Sequence, residues 1–136
     1  MKVFVPDASV ILKWVLGEEE EENKDSAVGF LKGWLNQEHE FVLPSLWVYE
    51  VGNVLGLKRP KDAETILDLL FSYEFRECQI TERLINLTFN IMKRFKGVTF
   101  YEAIYHAVAL HEDGMLVTAD KVYFNKVKDR TRIKLI

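Results

Sequence analysis

The chain has 136 residues, of which 49% are apolar and 12% aromatic, enough to bury a core and too many for a disordered segment. That length predicts one compact domain over residues 1–136. The formal charge of −3 excludes a global pull toward nucleic acid, so an RNA or DNA partner has to be held by a local basic patch or by bound cations. No apolar run approaches the roughly 18–20 residues that span a bilayer. In "MKVFVPDASV", Pro6 and Asp7 end the apolar stretch too early for a signal peptide. Cys78 is the one cysteine, so no internal disulfide can form, which fits a reducing compartment. A soluble, cytoplasmic protein with no membrane partner is the expectation.

In chain order, "VFV" (3–5) predicts a strand that ends at Pro6. "ASVILKWVLG" carries Val10, Ile11, Trp14 and Val15 at helical spacing, with Gly17 as the stop. "EEEEEN" (18–23) is a solvated charge run, a loop or the approach to another helix. "DSAVGFLKGWLNQ" offers a cap at Asp25 or Ser26 and an apolar stripe of Ala27, Phe30, Leu31 and Trp34, which predicts a second helix. "EFVLPS" (40–45) reads as a second strand ending at a proline. Behind it Trp47, Val51, Val54 and Leu55 form one stripe of a helix that Ser45 is placed to cap. Residues 62–74 and 81–96 predict two more amphipathic helices, with "FRECQIT" (75–81) strand-like or irregular between them. "TFYEAIYHAVALHEDG" is a helix closed by Gly114, "MLVTAD" a strand, "KVYFNKVK" a short helix and "RIKLI" a last strand.

Strands alternating with helices imply an α/β fold, a three-layer α/β/α arrangement around a parallel sheet. In such sheets ligands bind beyond the carboxyl ends of the strands. Asp7 follows the first strand and Asp120 follows "MLVT", so both are placed at that edge. Each also has a plainer reading as a helix N-cap, a role Ser9 can share beside Asp7. Glu50 lies off the core stripe of its helix and shares a face with Asn53, three residues on. An ionised carboxylate there reaches water or finds a cation, because burying it unpaired is costly. Glu102 fits the capping box Thr-x-x-Glu with Thr99. His106, one turn further, has a structural or surface reading.

Taken together the four acids say more than each does alone. Carboxylates massed at one sheet edge raise one another's pKa unless a cation neutralises them, and the neighbouring sequence positions supply only Lys13 and Lys121. Oxygen donors suit Mg²⁺ or Mn²⁺, and Cys78, His39, His106 and His111 carry no zinc spacing. Acid clusters with such metals serve phosphate-oxygen chemistry.

On "VPDASVILKW", "PSLWVYEVGNVL" with its Glu-x-x-Asn, "TFYEAIYHAVAL", and "LVTAD" followed by "YF", nearly the whole chain resembles the PIN-domain proteins, specifically the small VapC-type toxin ribonucleases. The resemblance implies that Asp7, Glu50, Glu102 and Asp120 are the catalytic, metal-holding acids. Ser9, Asn53 and Thr118 would be their polar helpers. It further implies a Mg²⁺- or Mn²⁺-dependent endoribonuclease, a toxin held as a homodimer and blocked by a cognate antitoxin whose segment enters the acidic groove. An antitoxin arginine would be a natural bidentate partner for the acids. Lys13, Lys58 and Arg59, and beyond them Lys93, Arg94 and Lys96, are the candidate RNA contacts. Trp14, Phe30 and Trp34 are candidates for the core or for antitoxin contacts. One departure stands out: the third acid of the family is usually Asp, and Glu102 is one methylene longer, which favours Mn²⁺ over the stricter octahedral Mg²⁺.

Three other readings stay open on the residues. A non-catalytic PIN-like RNA- or protein-binding module would keep the acids for stability or partner binding. A receiver-type phosphoacceptor domain also places acids on a parallel sheet, but the first strand lacks the adjacent acid pair. A phosphatase with an aspartyl nucleophile would carry a second Asp where Ser9 stands.

Overall fold

A computed structural model describes residues 1–17, 22–128 and 131–136. The predicted charge run therefore lies outside the described residues from 18 to 21. The element order is β1 (Val3–Pro6), α1 (Ala8–Val15), α2 (Lys24–Leu35), β2 (Glu40–Pro44), α3 (Leu46–Lys58), α4 (Ala63–Ser72), β3 (Arg76–Cys78), α5 (Glu82–Arg94), α6 (Phe100–His111), β4 (Met115–Thr118), α7 (Lys121–Lys126) and β5 (Ile133–Leu135). The described strands form a five-stranded sheet in the order β3-β2-β1-β4-β5, and every pair is parallel. The predicted α/β/α layering around a parallel sheet is the fold observed.

Right-handed crossovers dictate the layers. The chain steps outward from β1 to β2 to β3, which puts α1–α4 on one face. It then crosses back to β4 and β5, which puts α5–α7 on the other. Packing follows this division: α1 contacts α2 and α3, α3 contacts α4, and α6 pairs with α5 while lying over β1, β2 and β4. The direction of travel reverses between β1 and β4, whose register pairs Phe4 with Met115 and Pro6 with Val117. A crevice opens beyond the strand ends at such a reversal.

The sequence pattern explains the packing. On one face Val10, Ile11 and Trp14 of α1 are buried, and Trp14 and Trp34 both stack on Phe41. Phe30 packs edge-on against Phe4. All three aromatic candidates for antitoxin contact are thus engaged with the core. On the other face Ala103 and Ala107 are fully buried, and these small side chains bring α6 close to the sheet. Gly114 continues that close approach, since a Cβ there would sit 2.7 Å from the Val3 carbonyl oxygen. Fully buried Leu70 and Val51 seal the α3–α4 pair, and each such side chain gains about 1.5–3 kcal/mol on leaving water.

Two capping expectations change. The residue before α2 is Asn23, in a left-handed conformation (φ 55°) with no side-chain capping bond, so neither Asp25 nor Ser26 caps. Ser45 stands at the N-cap position of α3 but in a right-handed helical conformation, and its hydroxyl makes no capping bond. Side-chain capping favours an extended N-cap residue, and Thr81 and Thr99, which do cap, are extended. Helix α1 ends at Val15 with Leu16 as its C-cap, and Gly17, the predicted stop, follows directly. Among the described residues no helix is long and apolar enough to cross a membrane.

Candidate functional site

Each strand beside the reversal is followed by an aspartate. The Asp7 backbone N–H still bonds the Val117 carbonyl of β4, at 3.1 Å. Its side chain caps α1, accepting from the Val10 N–H at 3.3 Å through Oδ1. Ser9 Oγ donates to that same oxygen, and Thr118 Oγ1 donates to Oδ2 at 2.5 Å. Both hydroxyls also accept: Ser9 from the Ala119 N–H at 2.9 Å, Thr118 from the Asp120 N–H at 3.0 Å. Two side-chain hydroxyls therefore tie the end of β1 to the end of β4. Asp120 caps α7 through Oδ1, which accepts from the Val122 and Tyr123 N–H groups at 2.9 and 3.1 Å. Capping and the shared crevice are compatible duties for both aspartates.

The two glutamates arrive on helices. Glu50 lies in the second turn of α3, and Tyr105 of α6 donates its phenol to Glu50 Oε1 at 2.5 Å. Glu102 completes the predicted capping box: Oε1 accepts from the Thr99 N–H at 3.0 Å, and the Glu102 N–H donates to Thr99 Oγ1 at 3.1 Å. Lys126 reaches the same Oε1 at 3.3 Å and also donates to the Gly97 carbonyl at 2.9 Å. All four acids open onto one cleft of about 110 Å³, whose walls Ser9, Tyr101, Tyr105 and Tyr123 complete.

The electrostatics are those of an anionic pocket. Burial pushes the Asp7 carboxyl up from 3.8 to about 6, against the bonds from Ser9, Thr118 and Val10 that lower it, and the Asp120 charge adds a further push. Burial also raises Glu50, with the Tyr105 bond opposing and the Glu102 charge assisting. Tyr105 is held well above the usual phenol range by burial, then by its bond to Glu50 and the Glu50 and Asp7 charges. Tyr123 is raised by burial and by Glu102 and Asp7.

This donor set suits a hard divalent cation. Oε2 of Glu50, Oε2 of Glu102 and Oδ2 of Asp120 have no hydrogen-bond partner among the described residues. Oxygen-only donors of this kind match Mg²⁺ or Mn²⁺. The acids hold their oxygens apart, as like charges do: among the described residues the one trio of potential ligands within 4.8 Å of one another is Cys78, His111 and Glu112, outside the cleft. Zinc-type donors thus meet in space although no sequence spacing announces them. The Arg76 guanidinium grips both oxygens of Glu112 at 3.2 and 3.4 Å, and its charge opposes a cation there.

The remaining candidates divide. Ser9 and Thr118 hold the Asp7 carboxylate. Asn53 is exposed and does not line the cleft. Lys13 does not offer its ammonium at the surface: it is 6% exposed, and Nζ donates to the Glu22 carbonyl. Lys58 is exposed, eight residues beyond Glu50 and so about 12 Å further along α3. Arg59 pairs with Asp62 at 2.9 Å. Lys93, Arg94 and Lys96 are exposed around the end of α5.

His106 does not bond Glu102. It is 3% exposed and links the Tyr123 hydroxyl at 2.8 Å to the Thr131 carbonyl at 2.9 Å, bracing a cleft wall from behind. Tyr105 and Lys126 were not foreseen. Tyr105 had a weak signal, three residues beyond Glu102 on the same helix, whereas Lys126 had none, since α7 meets α6 only in the folded chain.

The PIN domain family model matches residues 4–130. No curated protein sequence matches the chain. Among solved structures, the chain resembles VapBC2 from Rickettsia felis bound to a DNA fragment from its promoter, at 12% identity and TM-score 0.71, covering 98% of each chain. It resembles VapC20 of Mycobacterium tuberculosis, a Sarcin-Ricin loop cleaving toxin, at 16% identity and TM-score 0.68, covering 91% of this chain and 94% of that one. PAE2754 from Pyrobaculum aerophilum follows at 23% identity and TM-score 0.63, covering 93% and 86%. At such identities the solved structures speak to the fold, and the family model, spanning nearly the whole chain, speaks to descent: the chain belongs to the PIN-domain family.

Proposed function

We propose that the protein is a Mg²⁺- or Mn²⁺-dependent endoribonuclease, the toxin of a type II toxin–antitoxin pair, which hydrolyses RNA phosphodiester bonds in the cytoplasm. One observation carries the reading: four carboxylates line one cleft, and three of them keep an oxygen that no group among the described residues uses. Asp7, Asp120 and Glu50 would hold the cation directly, and Glu102 would join them through Oε2. When bound, the cation supplies Lewis acidity and an activated water for in-line attack on the scissile phosphate.

The chain's own residues supply orientation. Ser9 and Thr118 fix both Asp7 oxygens, and Thr118 also fixes the Asp120 backbone. Tyr105 sets the Glu50 rotamer and donates to its charged form. Lys126 offsets part of the Glu102 charge, lowering the repulsion that an approaching phosphate meets. Lys58 and Arg59 remain candidates to track the RNA backbone at a distance from the cleft.

Two neighbours in fold support the partner and substrate classes: a toxin–antitoxin complex from Klebsiella pneumoniae and the Sarcin-Ricin loop cleaving toxin. For this chain we therefore propose an antitoxin that inserts an arginine among the acids, and a homodimer as the working assembly. A non-catalytic PIN-like binding module is the alternative, and one observation favours it: Thr99 and Lys126 already occupy Glu102 Oε1.

An RNA cleavage assay in Mg²⁺ or Mn²⁺, with and without EDTA, separates the two. The natural protein is expected to cut only with metal, and Asp7→Asn and Asp120→Asn are expected to lose that activity. Full activity in Asp7→Asn overturns the mechanism, and neither cation binding nor cleavage in the natural protein assigns the binding module.

A further inference from the structure

A second cavity, of about 230 Å³, adjoins the acidic cleft and shares one wall with it, the side chain of Tyr101. It opens where the starts of α3, α5 and α6 meet the end of β3. Leu46, Leu84 and Ile104 make an apolar lining. Its rim is unusual: Tyr49 is 74% exposed, Tyr101 61% and Ile80 61%. Phenol rings normally bury most of their apolar body and leave only the hydroxyl wet. Two such rings and an isoleucine exposed around one concavity form a surface suited to a flat apolar ligand.

The polar groups narrow the ligand further. Among the described residues no Lys or Arg lines this cavity, so its lining does not suit a phosphate. Ser45 does line it, and its hydroxyl neither caps α3 nor bonds any other described residue. This exposed hydroxyl, lining the same cavity as Tyr49 and Tyr101, can meet the polar edge of a ligand whose faces lie on the rings.

We propose that this cavity receives one unpaired nucleobase of the RNA whose neighbouring phosphodiester lies in the acidic cleft, an inference that rests on the nuclease reading above. A nucleobase has the required form, with two π-faces and a hydrogen-bonding edge. Continuity through Tyr101 matches the covalent continuity of the ligand, because one ribose separates a base from its phosphate. The base must be unpaired, since a duplex keeps both base faces stacked and its edge occupied. Stacking is tolerant of base identity, so the cavity selects single-stranded RNA and leaves sequence choice to other contacts.

The test uses six-nucleotide single-stranded RNAs carrying the fluorescent base 2-aminopurine at each position in turn. They are titrated in Mg²⁺ against Asp7→Asn protein, so that binding is read without cutting. Fluorescence is expected to be quenched at one position. Adding Tyr49→Ala or Tyr101→Ala to that protein is expected to weaken binding roughly 5- to 150-fold, the range for one stacked base, while Tyr49→Phe and Tyr101→Phe retain it. Tyr49 is too exposed for its truncation to unfold the chain. An abasic ribose at the quenched position is expected to weaken binding to the Asp7→Asn protein by the same factor and to add nothing once Tyr101→Ala is present.

Quenching at no position, or equal affinity for abasic RNA, overturns the base pocket. So does a second outcome: if Tyr49→Ala or Ile80→Glu turns a dimer into a monomer in sedimentation without changing RNA affinity, the face belongs to a second copy of the chain. Failure of the nuclease reading shows separately, as the absence of metal-dependent cutting of the same RNAs by the natural protein.

Discussion

Replacing Asp7 with asparagine is expected to change how the stability of the metal-free protein depends on pH. Burial holds this carboxyl at about 6 in the folded chain, against 3.8 when unperturbed. The folded state therefore keeps the proton more tightly than the unfolded state. Below about pH 4 the group is protonated in both, and it contributes nothing. Between about pH 4 and 6 the unfolded chain ionises while the folded one resists, so stability falls as pH rises. Above about 6 the loss is complete and constant. The difference of roughly two pKa units corresponds to about 3 kcal/mol, reduced to the extent that the carboxylate reaches cleft water.

Asparagine cannot titrate and escapes that loss. It does incur a pH-independent cost, because Ser9 and Thr118 both donate to the carboxylate and an amide presents one acceptor in place of two; an unmet donor costs about 1–3 kcal/mol. The diagnostic is therefore the slope of the difference and not its sign at one pH. Urea unfolding in EDTA, run from about pH 4 to pH 8, is expected to show Asp7→Asn gaining up to about 3 kcal/mol on the natural protein across that span. Adding Mg²⁺ or Mn²⁺ at pH 8 is expected to stabilise the natural protein more than the variant, which keeps Glu50, Glu102 and Asp120 in the cleft, since a bound cation shifts the folding equilibrium in proportion to its affinity. A flat difference across the pH range refutes the desolvated-carboxylate account.

Two further substitutions probe the glutamates. Glu102→Asp shortens the arm of the capping box and is expected to cost about 0.5–2 kcal/mol in thermal or urea unfolding; in cleavage assays it is expected to raise activity with Mg²⁺ relative to Mn²⁺, and an unchanged metal preference removes the support for a reach effect. Tyr105→Phe removes the donor to Glu50 and so a bond that lowers its pKa; the acid limb of the pH–rate profile is expected to move to higher pH, and an unmoved limb shows that Tyr105 does not position that acid.

The layered α/β fold was legible because its signals are local. "VFV" and "MLVT" are short apolar runs cut off by Pro6 or by Thr-Ala-Asp, and the 3.6-residue stripes between them close within a few turns. Asp7 and Asp120 were legible as edge residues for the same reason: each stands directly behind its own strand. Thr99 and Glu102 announced their capping box across three residues, and the structure keeps it. Lys13 misled because its charge suggested solvent, whereas α2 packs against α1 and the ammonium ends on a backbone carbonyl. Ser45 misled because capping depends on backbone conformation, and its residue type says nothing of that.

By itself the sequence determined the element types and their order, apart from β3, and put Asp7, Glu102 and Asp120 at helix starts and Glu50 off the core stripe of its helix, since periodicity, proline stops and cap residues act within one or two turns. Only the tertiary structure decided that β4 lies beside β1, which brings Thr118 onto Asp7 across 111 positions. It likewise set Tyr105 on Glu50 and Lys126 on Glu102, and joined the cleft to the apolar cavity through Tyr101. Such contacts depend on strand order and layer packing, which arise from how the whole chain buries its apolar surface, and no short window of residues carries them.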